Sequence, residues 1–167
     1  HPVSAYLAAD LGRSAHAMVS RFLRPLLVGV AFFDLYMPAR WTTYPLFAVS
    51  ILLAVLVSFG LRYAVNATAF WLLDIRGVQL TWSLAAGVLS GLYFPLRFLP
   101  GWLSTALWVG TPFPSILQTP LDVLVERESA VRLSGLVALQ AGWAIIALAA
   151  AGLVQRAAER RMVIQGG

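Results

Sequence analysis

The chain has 167 residues, of which 60% are hydrophobic and 11% charged; soluble domains run at about 45–50% and about 25%. So little charge cannot coat a soluble domain, and the mean hydropathy of +0.80 agrees, so the chain reads as an all-α integral membrane protein. The net charge of +5 comes without a dense basic run, which argues against nucleic acid, and the absence of cysteine excludes disulfides, thiolate metal sites and a cysteine nucleophile.

The first twenty residues are mixed in character. Val3, Leu7, Leu11 and Ala15 form an i, i+4 stripe, with Asp10, Arg13 and Ser14 on the other side. This pattern predicts a short amphipathic helix at a membrane surface, either a lead into the first span or a docking segment for a cytoplasmic partner. The opening His1-Pro2 carries no signal-peptide pattern and no initiator Met, so an N-terminally truncated chain is expected.

A first span is predicted over 22–37, between Arg21, Arg24 and Pro38. Asp34 falls about one turn before its end, where an interfacial carboxylate paired with Arg40 or Arg97 is expected. The second span covers 44–60, and its helical pattern continues through Arg62 and Asn66 to Trp71. Arg62 then lies near the opposite interface, either snorkelling to the headgroups or facing an internal cavity. Residues 74–77 read as a turn, with Gly77 ending one helix before the next.

A third span is predicted over 79–96. Gly87 and Gly91 give it the G-x-x-x-G spacing that lets a second helix approach closely. Beyond it come Pro95, Pro100, Gly101 and Trp102, a short apolar piece over 103–110, a break at Pro112 and Pro114, and another short helix over 117–125. Each proline removes a backbone donor and opens the helical ladder, and backbone freed inside a bilayer must be buried in protein or line a wet cavity. A hairpin over 98–125 that dips into the membrane and returns to the same side is expected, with one full crossing as the competing reading. The last span covers 133–154, with Ala147 and Ala151 as a small-residue face, and 156–167 is a cytoplasmic tail, free over 162–167.

About four crossings plus the hairpin put Arg13, Arg21, Arg24, Arg62, Arg76, Arg156, Arg160 and Arg161 on one side. Arg40, Arg97, Arg127 and Arg132 lie on the other, so the first side is cytoplasmic and both ends of the chain face it. The domain division is 1–20 cytoplasmic, 21–155 transmembrane bundle with hairpin, and 156–167 tail.

Catalytic patterns are missing. All twelve basic residues are arginine, so the phosphate-binding G-x-x-x-x-G-K-[ST] loop is excluded. The two histidines, His1 and His16, precede the first span, and Asp34 has no second mid-membrane carboxylate with which to relay protons. No enzyme, no metal and no cofactor in this chain are expected.

Several segments resemble one branch of the bacterial type-2 ABC exporter permeases. Phe70-Trp71 with Asp74-Ile75-Arg76-Gly77 is similar to the cytoplasmic end of that branch's fourth helix. Gly91 to Leu96 and Phe98-Leu99-Pro100-Gly101-Trp102 look like its fifth helix entering an external re-entrant hairpin, and Thr111-Pro112-Phe113 with 120–127 like the hairpin's second half. The stretch 160–167 is similar to its C-terminal tail. The resemblance implies the C-terminal part of a six-helix permease in a bacterial inner membrane, lacking the first two helices. It implies a cytoplasmic ABC ATPase partner that holds ATP and Mg, a second permease copy or related permease, and a coupling segment near Asp10, Leu11 and Arg13. Pro95, Pro100, Gly101, Trp102, Pro112 and Pro114 would then shape an outer gate. The alternative is a non-transporting scaffold or assembly subunit.

Overall fold

The computed structural model describes residues 23–32, 36–72 and 74–165, and only the backbone of Arg24, Pro25, Leu26, Phe70, Glu159 and 161–165. Among the described residues every element is helical: α1 (Arg24–Phe32), α2 (Thr43–Ala67), α3 (Arg76–Leu89), α4 (Gly101–Gly110), α5 (Gln118–Leu124) and α6 (Ala130–Gln165). Short 3-10 turns occupy Thr68–Phe70, Leu96–Phe98 and Phe113–Ser115. The chain divides into two compact units, His1–Met37 and Pro38–Gly167. Within the first, the described helix is α1. The predicted amphipathic segment and Asp34 lie outside the described residues.

The second unit is built on α2 and α6. Thr43–Ala67 and Ala130–Ala158 are long and apolar enough to cross a membrane. At 25 residues α2 extends about 37 Å, more than the roughly 30 Å of hydrocarbon. Their burial follows sequence spacing. On α6 the buried positions are Leu133, Val137, Gln140, Ala144, Ala147, Ala151 and Ala158, steps of four and three that keep one narrow stripe inward. On α2 the matching stripe is Ser50, Ala54, Val57, Gly60 and Ala67. Ser50 meets Gln140, and Gly60 meets Ala147 ten and seven residues further on, so the two helices run parallel.

Lipid offers no hydrophobic drive to pair apolar helices, so close backbone approach and polar contacts hold them. A Cβ on Gly60 would stand 2.7 Å from the Ala147 carbonyl carbon, a separation at which backbone must shift. The small-residue face expected on the last span is therefore the one that receives α2. Against the same seam Val123 of α5 joins Leu133 and Val137, with Leu46, Phe47, Leu53 and Leu136 packed around them.

Three boundaries differ from the sequence expectation. The third span ends at Leu89, not near 96, because Gly91 takes φ +88°. Leu92 N–H bonds the Gly87 carbonyl (3.1 Å) and Gly91 N–H that of Val88 (3.4 Å), the double closure of a Schellman cap. That helix starts at Arg76, whose N–H bonds Asp74 Oδ1 at 2.9 Å, so Gly77 sits in its first turn and does not end the previous helix. The last helix runs on through Gln165, past the span end expected at 154 and into the stretch expected to be free from 162. Residues 155–162 are good helix formers without glycine or proline, and nothing local stops them.

Candidate functional site

The stretch from Pro95 to Glu126 forms a helical hairpin, α4 out and α5 back, and its two ends and its tip are held by different chemistry. At the ends the hold is ionic. Asp122 on α5 is 1% exposed, and a buried carboxylate persists only when fully partnered. Arg97 supplies two bonds to its Oδ2, from Nη2 at 2.9 Å and Nε at 3.3 Å. Gln118 Nε2 donates to Oδ1 at 3.0 Å, and Arg127 Nη1 lies 3.9 Å from the same oxygen. Arg97 also reaches Glu128 (3.2 Å), which pairs with Arg132 one turn into α6 (3.3 Å). Burial opposes the charge on Arg97, but the Asp122 bond and charge, followed by those of Glu128, more than offset it and raise its pKa.

At the other edge Glu126 reaches the start of α2. Its residue takes φ 49°, a left-handed turn that redirects the chain after α5. The carboxylate accepts the Thr43 hydroxyl (2.6 Å) and the N–H groups of Arg40 (2.7 Å) and Ala39 (3.2 Å). No side chain of Thr42 caps α2; Glu126, 83 residues beyond Thr43, instead ties down the chain just before the helix and the Thr43 hydroxyl, near the helix end where the dipole favours a negative charge. The Thr43 hydroxyl, then the Arg40 and Ala39 amides and the Arg40 charge, hold Glu126 below the usual carboxylate pKa. Arg40 Nη2 further donates to the Glu128 carbonyl at 3.1 Å.

The tip is held without charge. Gln140 is fully buried on α6, and its Nε2 donates to the carbonyls of Ser115 (2.8 Å) and Ser50 (2.9 Å) while its Oε1 accepts the Ser50 hydroxyl (2.8 Å). One amide therefore joins α2, α6 and the hairpin turn. Along α6, Gln140 lies eight residues beyond Arg132, about 12 Å at the helical rise. Ser50 lies seven beyond Thr43, about 10 Å. Both helices thus put the tip contact at a similar distance past the ionic contacts. Trp82 of α3 braces the same turn, its ring 5.3 Å from that of Phe113.

The residues singled out in the sequence take separate places. Pro100 precedes α4, while Gly101 and Trp102 open it with exposed side positions; Pro95 is exposed before it. Pro112 and Pro114 form the tip, Pro114 buried beside Ser115. The hairpin bends are where the prolines predict them, but the six residues form no single cluster. Within the described residues Gly87 and Gly91 make room for side chains. A Cβ on Gly87 would run into the Tyr93 ring, and one on Gly91 would meet Gln118 Oε1 of the hairpin at 2.5 Å. Arg97 holds Asp122 and Glu128, and Arg40 faces Glu126; their expected pairing with Asp34 lies outside the described residues. Arg62 lines a cleft of about 610 Å³ with Val55, Phe59, Tyr63 and Ile116. Asp10, Leu11, Arg13 and Asp34 lie outside the described residues.

Sequence reasoning missed Gln118, Asp122, Glu126 and Gln140 as site residues. A signal existed for Gln140, an amide well inside an apolar span, where unpaired polar groups are costly. Among the described residues no group of three or more His, Cys, Asp or Glu side chains could hold a metal ion.

A family model described as "ABC-2 family transporter protein" matches residues 11–166. Neither the curated proteins nor the solved structures yield a match. The matched span takes in both long apolar helices and the hairpin between them, and the chain therefore belongs to the ABC-2 transporter family as a membrane permease component of an ABC transporter.

Proposed function

We propose that the chain is the permease subunit of an ATP-driven exporter, and that the 95–126 hairpin is a re-entrant gate on the outer side. The observation that carries this reading is the double anchorage. Arg97 and Glu126 hold both ends of the hairpin at the starts of α2 and α6, while Ser115 at its tip is bound to Gln140 deeper along α6. A segment that enters and leaves at one level and turns at another is suited to swing in a bilayer without exposing backbone, since its turn is sheltered by helices. ATP and Mg belong to a separate cytoplasmic ATPase, consistent with the absence of a P-loop lysine. Its closure would push on the segment around Asp10, Leu11 and Arg13 and tilt the helices of two permeases, this one with a second copy or a related partner. Both ends of the chain would face the cytoplasm of a bacterial inner membrane, as the arginine distribution favours.

The test is export by a Pro100→Ala, Pro112→Ala variant that inserts normally. Reduced export with intact assembly supports the gate; unchanged export removes it. Copurification with an ATPase whose turnover rises with the permease supports the motor pairing, and its absence favours a scaffold.

A further inference from the structure

The Arg62 cleft has its own chemistry, separate from the hairpin clasp. Arg62 and Asn66 are one turn apart on α2 and line it together. Gln79 Nε2 donates to Asn66 Oδ1 at 3.2 Å, which leaves the Asn66 amide nitrogen as a donor. Among the described residues Arg62 has no ion pair or hydrogen bond, in contrast with Arg40, Arg97, Arg127 and Arg132, each of which faces a carboxylate. Among the described residues no Asp or Glu lines the cleft. Its walls are apolar and aromatic: Val55, Phe59 and Tyr63, the last two rings 5.9 Å apart, with Ile116 of the hairpin turn as a floor. A second cavity of about 190 Å³ beneath α3 shares Ser58, Arg62 and Ile116 with it, so the space continues toward Gly87.

We infer that this cleft binds an anionic amphiphile, its carboxylate, sulfonate or phosphate on Arg62 and Asn66 and its hydrocarbon or aromatic body along Val55 and Phe59. The charge selects the ligand: a donor pair without a resident acceptor, at one end of an apolar trough, is complementary to a single anion on a greasy body. A size of about 610 Å³ lies within the range of small-molecule sites. The floor links the site to the hairpin turn, because Ile116 follows Ser115, the residue clasped by Gln140.

The experiment is binding of oleate, with oleyl alcohol as the uncharged probe of equal length, to the purified permease in phosphatidylcholine nanodiscs. Transport is not used, so failure here leaves the exporter reading standing. Saturable oleate binding is expected, weakened on the order of ten- to hundred-fold by Arg62→Gln, largely kept by Arg62→Lys, and blocked by Val55→Trp, which fills the trough. Oleyl alcohol should bind weakly and indifferently to Arg62→Gln. If that variant does not fold, the discrimination between the two probes by the wild type and the Val55→Trp block still decide the matter. Displacement of oleate by added phosphatidylglycerol identifies a lipid headgroup as the source of the anion, and its failure to compete points to a non-lipid amphiphile. Equal binding of oleate and its alcohol, or oleate affinity unchanged in Arg62→Gln, overturns the assignment.

Discussion

Gln140→Leu is the sharpest perturbation the architecture offers, since it removes one amide and keeps the side-chain bulk. When the hairpin leaves its place in the wild type, the bond from Gln140 Nε2 to the Ser115 carbonyl must break; in the variant there is nothing to break. Hydrogen bonds between membrane helices average about 0.6 kcal/mol and reach about 1.7. Counted instead from the carbonyl, which the variant leaves buried without its donor in the docked state, the same loss is about 1–3 kcal/mol, and the two estimates overlap between about 1 and 2. The docked hairpin should therefore lose about 1–2 kcal/mol, which raises its open population roughly 5- to 30-fold. The chain's lack of cysteine makes this measurable. Thr119 is 1% exposed, so a Thr119→Cys thiol reacts only when the hairpin opens. Its labelling rate in detergent should rise by that factor on adding Gln140→Leu, while a Thr105→Cys thiol on the exposed side of α4 should react at an unchanged rate. An unchanged Thr119→Cys rate would refute the role given to the clasp.

Three further outcomes follow from contacts elsewhere. Gly91→Ala should destabilise by about 1–2 kcal/mol from the left-handed backbone alone, and more from the 2.5 Å approach to Gln118 Oε1. Thermal unfolding should find Gln118→Ala partly restoring Gly91→Ala, a coupling absent if the backbone term is the whole effect. Gly60→Ala should cost about 1–3 kcal/mol, because the new methyl meets the Ala147 backbone and the α2–α6 pair must part; a melting temperature equal to wild type would contradict the parallel packing. Glu126 has a folded pKa below its ordinary value of 4.5, so its contribution is present above that value and lost as pH falls through the depressed one. Protection of the amides at residues 39–46, taken relative to their intrinsic exchange rates at each pH, should therefore fall on acidification below about pH 4.5, and Glu126→Gln should remove that loss.

Much of the hairpin was legible because proline is a local instruction. Pro100 sits at the N-cap that starts α4 and Pro112 follows its end, and helices appear at Gly101–Gly110 and Gln118–Leu124 much as spacing predicts. Partner choice was not legible. Asp34 was the mate expected for Arg97 or Arg40, and nothing in the chain singled out Asp122, 25 residues beyond Arg97, as a carboxylate that Arg97 holds. The G-x-x-x-G spacing carried the same ambiguity: small residues permit approach, but whether by a helix, a Tyr93 ring or a Gln118 amide depends on where the chain returns.

The sequence by itself determined the membrane class, the two long helices and the breaks, since hydrocarbon tolerates only internally bonded backbone and proline interrupts such bonding at its own position. Tertiary structure alone decided which amide, carboxylate and guanidinium meet. Glu126 holds the Thr43 hydroxyl 83 residues upstream and Gln140 holds a turn 25 residues away, pairings that come from the parallel course of α2 and α6 and leave no periodic trace in the chain.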